Sequence, residues 1–182
     1  LNDHQQLRLD PALQAAVNRD DTLASQSTLC RLENRSNRQA MVDIHQIFVN
    51  QFIASFKEAP EELILDFDAT DDPTHGQQEH TFYHGYYRHY CFLPLYVFCG
   101  DQLLISYLRP SNKDGAKHSG AILKLLVDAL RAQWPEVRII FRADGGFCRQ
   151  KILSWCERND VFYIVGYTRN SRLSAMIQQK LK

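Results

Sequence analysis

The stretch Leu63-Ile64-Leu65-Asp66-Phe67-Asp68-Ala69-Thr70 decides how the rest of the chain is read. Its apolar run has the character of a buried strand, and it ends on carboxylates where a strand should stop. Side chains alternate along a strand, so Asp66 and Asp68 project from one face and Phe67 from the other. Two acids at the end of a buried strand suit a hard divalent cation, since Mg²⁺ takes oxygen ligands from a few well-placed carboxylates. They suit equally a strand end running into a solvated turn, Asp71-Asp72-Pro73, because Asp and Pro punctuate turns.

Working downstream, Thr74 to His89 is polar and carries His75, His80, His84 and His89. His80 and His84 have helical i, i+4 spacing, which raises zinc, but no third soft ligand lies at a recognisable distance and no acid stands in the metalloprotease position. Crowding by Phe82, Tyr83, Tyr86, Tyr87 and Tyr90 points more simply to an ordered hairpin arm. Tyr90–Cys99 reads as a second strand, Gly100-Asp101 as a tight turn and Gln102–Leu108 as a third strand, antiparallel to the second. Arg109-Pro110-Ser111-Asn112-Lys113-Asp114-Gly115 is a basic polar loop. A helix with one apolar face runs from Ser119 to Trp134 and is stopped by Pro135. A fourth strand covers Val137–Asp144, followed by Gly145-Gly146, a helix from about Arg149 to Arg158, and a fifth strand over Val161–Gly166.

Working upstream, Glu58-Ala59-Pro60 breaks a helical region that spans Asp10 to about Phe56 by its apolar spacing. Asp10-Pro11 supplies a cap and a first-turn proline. Leu23–Asn34 reads as a short helix whose Ser, Thr, Arg and Asn residues can touch phosphate or form an ordinary solvated surface. The expected organisation is a helical N-terminal segment over residues 1–60, with possible DNA contact, and a catalytic core over residues 61–182.

The 182 residues suit one domain with a small appended unit. Lys+Arg and Asp+Glu balance at 21 each, so no global charge announces nucleic acid. The five cysteines include no CxxC pair, which argues against a disulfide framework or zinc ribbon and fits a reducing cytoplasm. No apolar run is long enough to span a bilayer, so no membrane partner is expected. The chain starts on Leu1 and stops on Lys180-Leu181-Lys182 inside an expected helix, which reads as a fragment.

The element order predicts an α/β fold, a mixed five-stranded sheet flanked by helices. If the crossover after the third strand returns the chain beside the first, strands one and four are parallel neighbours with coincident carboxyl ends, where open α/β sheets build sites. Asp68 and Asp144 then converge from distant sequence, as a two-metal phosphoryl-transfer site requires. Gly145 and Gly146 would let a phosphate backbone approach, or serve a turn that needs glycine conformations.

Asp66–Gln78, Leu93-Pro94-Leu95, Leu108-Arg109-Pro110 and Phe141-Arg142-Ala143-Asp144-Gly145-Gly146-Phe147 together resemble the DDE transposases of bacterial insertion sequences, closest to the insertion sequence thirteen-eighty group. The resemblance runs from about Leu23 to Arg169. It implies a ribonuclease H-like core, dependence on Mg²⁺ or Mn²⁺, and DNA strand cleavage followed by strand transfer at terminal inverted repeats. A homodimer on DNA at the nucleoid is implied in the same way. By motif, the catalytic acids and metal ligands fall on Asp68 and Asp144, with Asp66 in reserve for the first. Arg109, Lys113 and Arg142 are expected near substrate phosphates, as DNA-binding residues.

The family's third acid, a glutamate on a later helix, has no counterpart here. Glu157 is the last glutamate and sits on the helix after strand four, where it should point away from the strand ends. The chain therefore reads as a partial enzyme, not competent alone. Two other readings stay open: a truncated, inactive DNA-binding remnant, and a ribonuclease H-like nuclease unrelated to transposition.

Overall fold

In the computed structural model, which describes residues 3–168 and 170–180, the central strand is β1 (Glu62–Ala69). Leu63, Leu65 and Phe67 are buried on one face while Asp66 and Asp68 emerge on the other. Before β1 lie the helices α1 (His4–Leu7), α2 (Pro11–Ala16), α3 (Gln26–Arg35) and α4 (Arg38–Ala54). After it come β2 (Asp72–Pro73), β3 (Phe82–His84), β4 (His89–Phe92), β5 (Leu95–Cys99), β6 (Gln102–Tyr107), α5 (Ser119–Gln133), β7 (Arg138–Ala143), α6 (Gln150–Arg158), β8 (Phe162–Val165) and α7 (Ser171–Lys180). Arg169, the end of the family resemblance, and Leu181 and Lys182, read as helix, lie outside the described residues.

The main sheet has the order β6-β5-β1-β7-β8. β5 runs antiparallel to β1 and to β6, while β7 is parallel to both β1 and β8. This is the expected mixed five-stranded sheet, with β1 between the hairpin and the parallel half. The hairpin turns at Gly100, whose φ of +58° is a conformation that side-chain-bearing residues rarely adopt. Phe67 packs edge-on against Phe141, with ring centroids 5.0 Å apart, and lies 6.4 Å from Phe147. Leu123, Leu126 and Leu130 of α5 and Val49 and Phe52 of α4 complete the same core. The opposite face stays more open: Phe98, Phe162 and Ile164 are exposed there. The carboxylates are therefore reachable from solvent.

The chain divides into two compact units, Leu1–Ile44 and His45–Lys182. Within the first, the helical region expected from Asp10 is divided into α2, α3 and the start of α4. Asp10 caps α2 through Ala12 N–H and Leu13 N–H as expected. The left-handed Asn18 then follows the helix end, and Ser25 starts α3 by accepting from Thr28 N–H. A second correction concerns Tyr90–Cys99, which is two strands. Pro94 has no N–H to give a ladder, and the chain breaks at Leu93-Pro94, leaving β4 in a small sheet of order β2-β4-β3 and β5 in the main one. The histidine-rich arm is that small sheet. Among the described residues no helix is long and apolar enough to cross a membrane.

Candidate active site

β1 and β7 are in register from Glu62 beside Arg138 to Phe67 beside Ala143. One further step along the same register sets Asp68 level with Asp144. Neighbouring strands lie about 4.8 Å apart and residues in register share a face. Two residues earlier on that face, Asp66 and Arg142 meet: the guanidinium donates to both carboxylate oxygens, Nη2 to Oδ2 at 2.6 Å and Nε to Oδ1. That observed fork marks the face on which Asp68 and Asp144 follow.

The three acids therefore differ. Asp66 is half-buried and committed to Arg142, whose own proton affinity is raised by that hydrogen bond and charge. Asp68 is exposed, and among the described residues no hydrogen bond or ion pair occupies its carboxylate. Asp144 is exposed and extended, and its Oδ1 accepts from Gly146 N–H at 2.8 Å, which orients the side chain and leaves Oδ2. Two accessible carboxylates at adjacent strand ends fit a hard cation of the Mg²⁺ type, which is commonly held by one or two carboxylates together with substrate phosphates. Among the described residues no group of three or more His, Cys, Asp or Glu could hold a metal. In the histidine-rich arm, His89 Nε2 lies 2.6 Å from Asp71 Oδ2.

Glu157 points where the sequence placed it, away from the strand ends, accepting from the Tyr163 hydroxyl at 3.0 Å. A depression of about 330 Å³ beside it, lined by Cys156, Asp160 and Phe162 among others, is likewise remote from Asp68 and Asp144. The open carboxyl ends of β1 and β7 suit a duplex better than an enclosed cavity does.

The basic residues separate too. Lys113 is exposed and free to reach phosphate. Arg142 is exposed but forked onto Asp66. Arg109 is 2% exposed and donates to three backbone carbonyls, Leu93 at 2.9 Å, Gly115 at 2.8 Å and Lys117 at 2.9 Å. Burial lowers its proton affinity. Its place is inside the fold, holding loops together, and a phosphate contact through this guanidinium is corrected to that role.

The glycines carry a further correction. Gly145 and Gly146 do not have positive φ, so the turn makes no demand for left-handed backbone there. A Cβ on Gly166 would stand 2.8 Å from the Gly145 nitrogen and 3.2 Å from the Asp144 carbonyl carbon. The loops leaving β7 and β8 thus touch backbone to backbone, and Gly166 N–H donates to Ala143 O at 3.0 Å. Sequence reading missed Gly166; its signal is a glycine at the end of β8 matching the one after β7. Gly166→Ala is expected to cost about 1–3 kcal/mol through overpacking and to displace Asp144. Thermal melting should then fall together with divalent-metal binding, while Gly115→Ala, whose Cβ would meet only Ala69 Cβ at 3.8 Å, moves neither.

The family model described as Transposase DDE domain group 1 matches residues 1–182. None of the curated proteins matches the chain. Among solved structures, the catalytic domain of Mos1 mariner transposase is similar at 12% identity, covering 81% of this chain and 74% of that one, with a TM-score of 0.44. The piggyBac transposase synaptic complex with hairpin DNA is similar at 14% identity, covering 81% of this chain and 31% of that one, at 0.45. The Mos1 transposase paired-end complex with left transposon end is similar at 12% identity, covering 99% and 69%, at 0.38.

Proposed function

This chain belongs to the transposase family Transposase DDE domain group 1, and from that premise we propose that Asp68 and Asp144 are the metal ligands of a DNA strand-cleaving and strand-transferring site. The single observation that supports the reading is the β1–β7 register, which runs to Phe67 beside Ala143 and whose next step would set Asp68 level with Asp144, two residues past the Asp66–Arg142 fork. Terminal inverted repeats and target DNA are the substrates, in the manner of the insertion sequence thirteen-eighty group. A homodimer holds two ends.

Mg²⁺ or Mn²⁺ bound there would supply Lewis acidity to a phosphodiester and activate the attacking oxygen. The chain's own residues do the rest. Gly146 N–H holds Asp144 Oδ1 at the carboxyl end of β7. Asp66 holds Arg142 beside the acids and adds no metal ligand. Lys113, exposed on the loop after β6, attracts backbone phosphate. The N-terminal segment of residues 1–60 contributes further DNA contact. Among the described residues no group of three or more His, Cys, Asp or Glu is placed to hold a metal, so on this reading strand cleavage by two carboxylates alone is slow.

The test is paramagnetic broadening by Mn²⁺ in NMR spectra of the chain. Broadening is expected to centre on Asp68 and Asp144, to vanish with Asp144→Asn and to survive Asp66→Asn. Loss on Asp66→Asn with the fold intact, or broadening elsewhere, would overturn the assignment.

A further inference from the structure

The arm between β1 and β5 is the one exposed feature that this reading leaves without work. Both of its feet stand at the carboxylate end of the sheet: it leaves β1 after Ala69, and Ala69 is paired with Leu95, the first residue of β5. Two contacts tie it there, the Tyr87 hydroxyl 3.5 Å from Ala69 O and His89 on Asp71. Tyr87 is close enough for burial, Asp71 and Asp68 together to raise its hydroxyl pKa.

The register of β3 and β4 sorts the arm's side chains onto two faces. Phe82 stands opposite Cys91 and His84 opposite His89 on one face, where Cys91 is fully buried. On the other, Tyr83 stands opposite Tyr90. Those two rings meet edge to face with centroids 5.7 Å apart, yet remain 56% and 59% exposed, and Tyr86 at the hairpin turn is 83% exposed. An edge-to-face pair leaves the face of one ring unoccupied. From Thr74 to Tyr90 the arm contains no Leu, Ile, Val or Met, and basic character is interleaved with the rings through His75, His80 and Arg88, against one carboxylate, Glu79. Flat rings, the cation of Arg88 and no aliphatic surface make a platform for bases, whose π-faces stack on aromatics whatever their sequence.

We propose that the Tyr83–Tyr90 pair, with Tyr86, stacks an unpaired base of the DNA strand held at Asp68 and Asp144. This rests on the transposase reading above, because only a site that opens a DNA end presents such a base.

The experiment uses the full chain, a single-stranded oligonucleotide containing 2-aminopurine, and the blunt duplex of the same sequence. Single-strand binding with quenched 2-aminopurine fluorescence is expected for the unsubstituted chain. Tyr83→Ala with Tyr90→Ala should weaken it by roughly tenfold to a hundredfold, the range for losing one stacked base, and relieve the quench. Duplex affinity should not change, and Tyr83→Phe with Tyr90→Phe should bind as the unsubstituted chain does. If duplex binding is present but the alanine pair leaves single-strand binding and quenching untouched, the stacking proposal falls and the transposase reading stands. If the alanine pair changes only self-association in sedimentation, the surface belongs to a second copy of the chain and the proposal falls. If neither DNA form binds, the transposase reading fails first and takes the proposal with it. Both tyrosines are exposed, so the fold should tolerate these changes; circular dichroism melts check this.

Discussion

Asp68→Asn is expected to remove Mn²⁺ binding from the strand ends and to slow strand cleavage by about a thousandfold or more wherever that cleavage is measurable. The size follows from the chemistry. A metal that polarises a phosphoryl oxygen contributes several kcal/mol to the transition state, and each 1.36 kcal/mol is a factor of about ten. Asparagine keeps the shape and one oxygen but loses the charge that holds a hard cation. Asp68 has no competing partner among the described residues, so the substitution strands nothing and should leave the thermal melt near its starting value. A loss of melting temperature comparable to that of a core change would mean that Asp68 is structural. Asp66→Asn makes the contrast, since there the Arg142 guanidinium loses its forked acceptor while the metal ligands remain.

How much of this was legible in the sequence depends on the range of the signal. β1, β7 and their parallel pairing follow from apolar runs and the handedness of crossovers, and the observed strand order agrees with them. Between Asp66 and Asp68, which share a face, the sequence ranks Asp68 first only by resemblance, and the structure adds that Asp66 is forked onto Arg142. Yet Arg142 stands two residues before Asp144 as Asp66 stands two before Asp68, and an in-register parallel pair would have matched them. The break at Leu93-Pro94 was obscured by apolar residues on both sides, since hydropathy reports burial and not which sheet a strand joins. The backbone contact of Gly166 with Gly145 is tertiary, and no local pattern encodes it.

The second large effect belongs to Arg109, where the sequence was read by charge alone. Arg109→Ala is expected to cost on the order of 3 kcal/mol, because bonds from a charged donor are worth about 1.5–3 kcal/mol each and the acceptors are left without it. The sum over its three carbonyls is reduced by what burial of a cation already costs: Nη2 is a buried side-chain nitrogen with no partner among the described residues. What the guanidinium joins explains why a cation is retained there. Leu93 O lies at the break between β4 and β5, and Gly115 and Lys117 lie in the loop that enters α5. Ser111 of that same loop donates to Phe82 O at 2.8 Å, so the clamp also seats the base of the aromatic arm. Arg109→Lys should recover little of the loss, since one ammonium cannot span carbonyls on two segments as a planar fork does. The measurement is a urea melt of the three proteins, read together with duplex binding. A stable Arg109→Ala protein with weakened duplex binding would return this residue to the DNA surface, whereas an unstable one whose remaining folded fraction binds duplex normally places its role inside the fold.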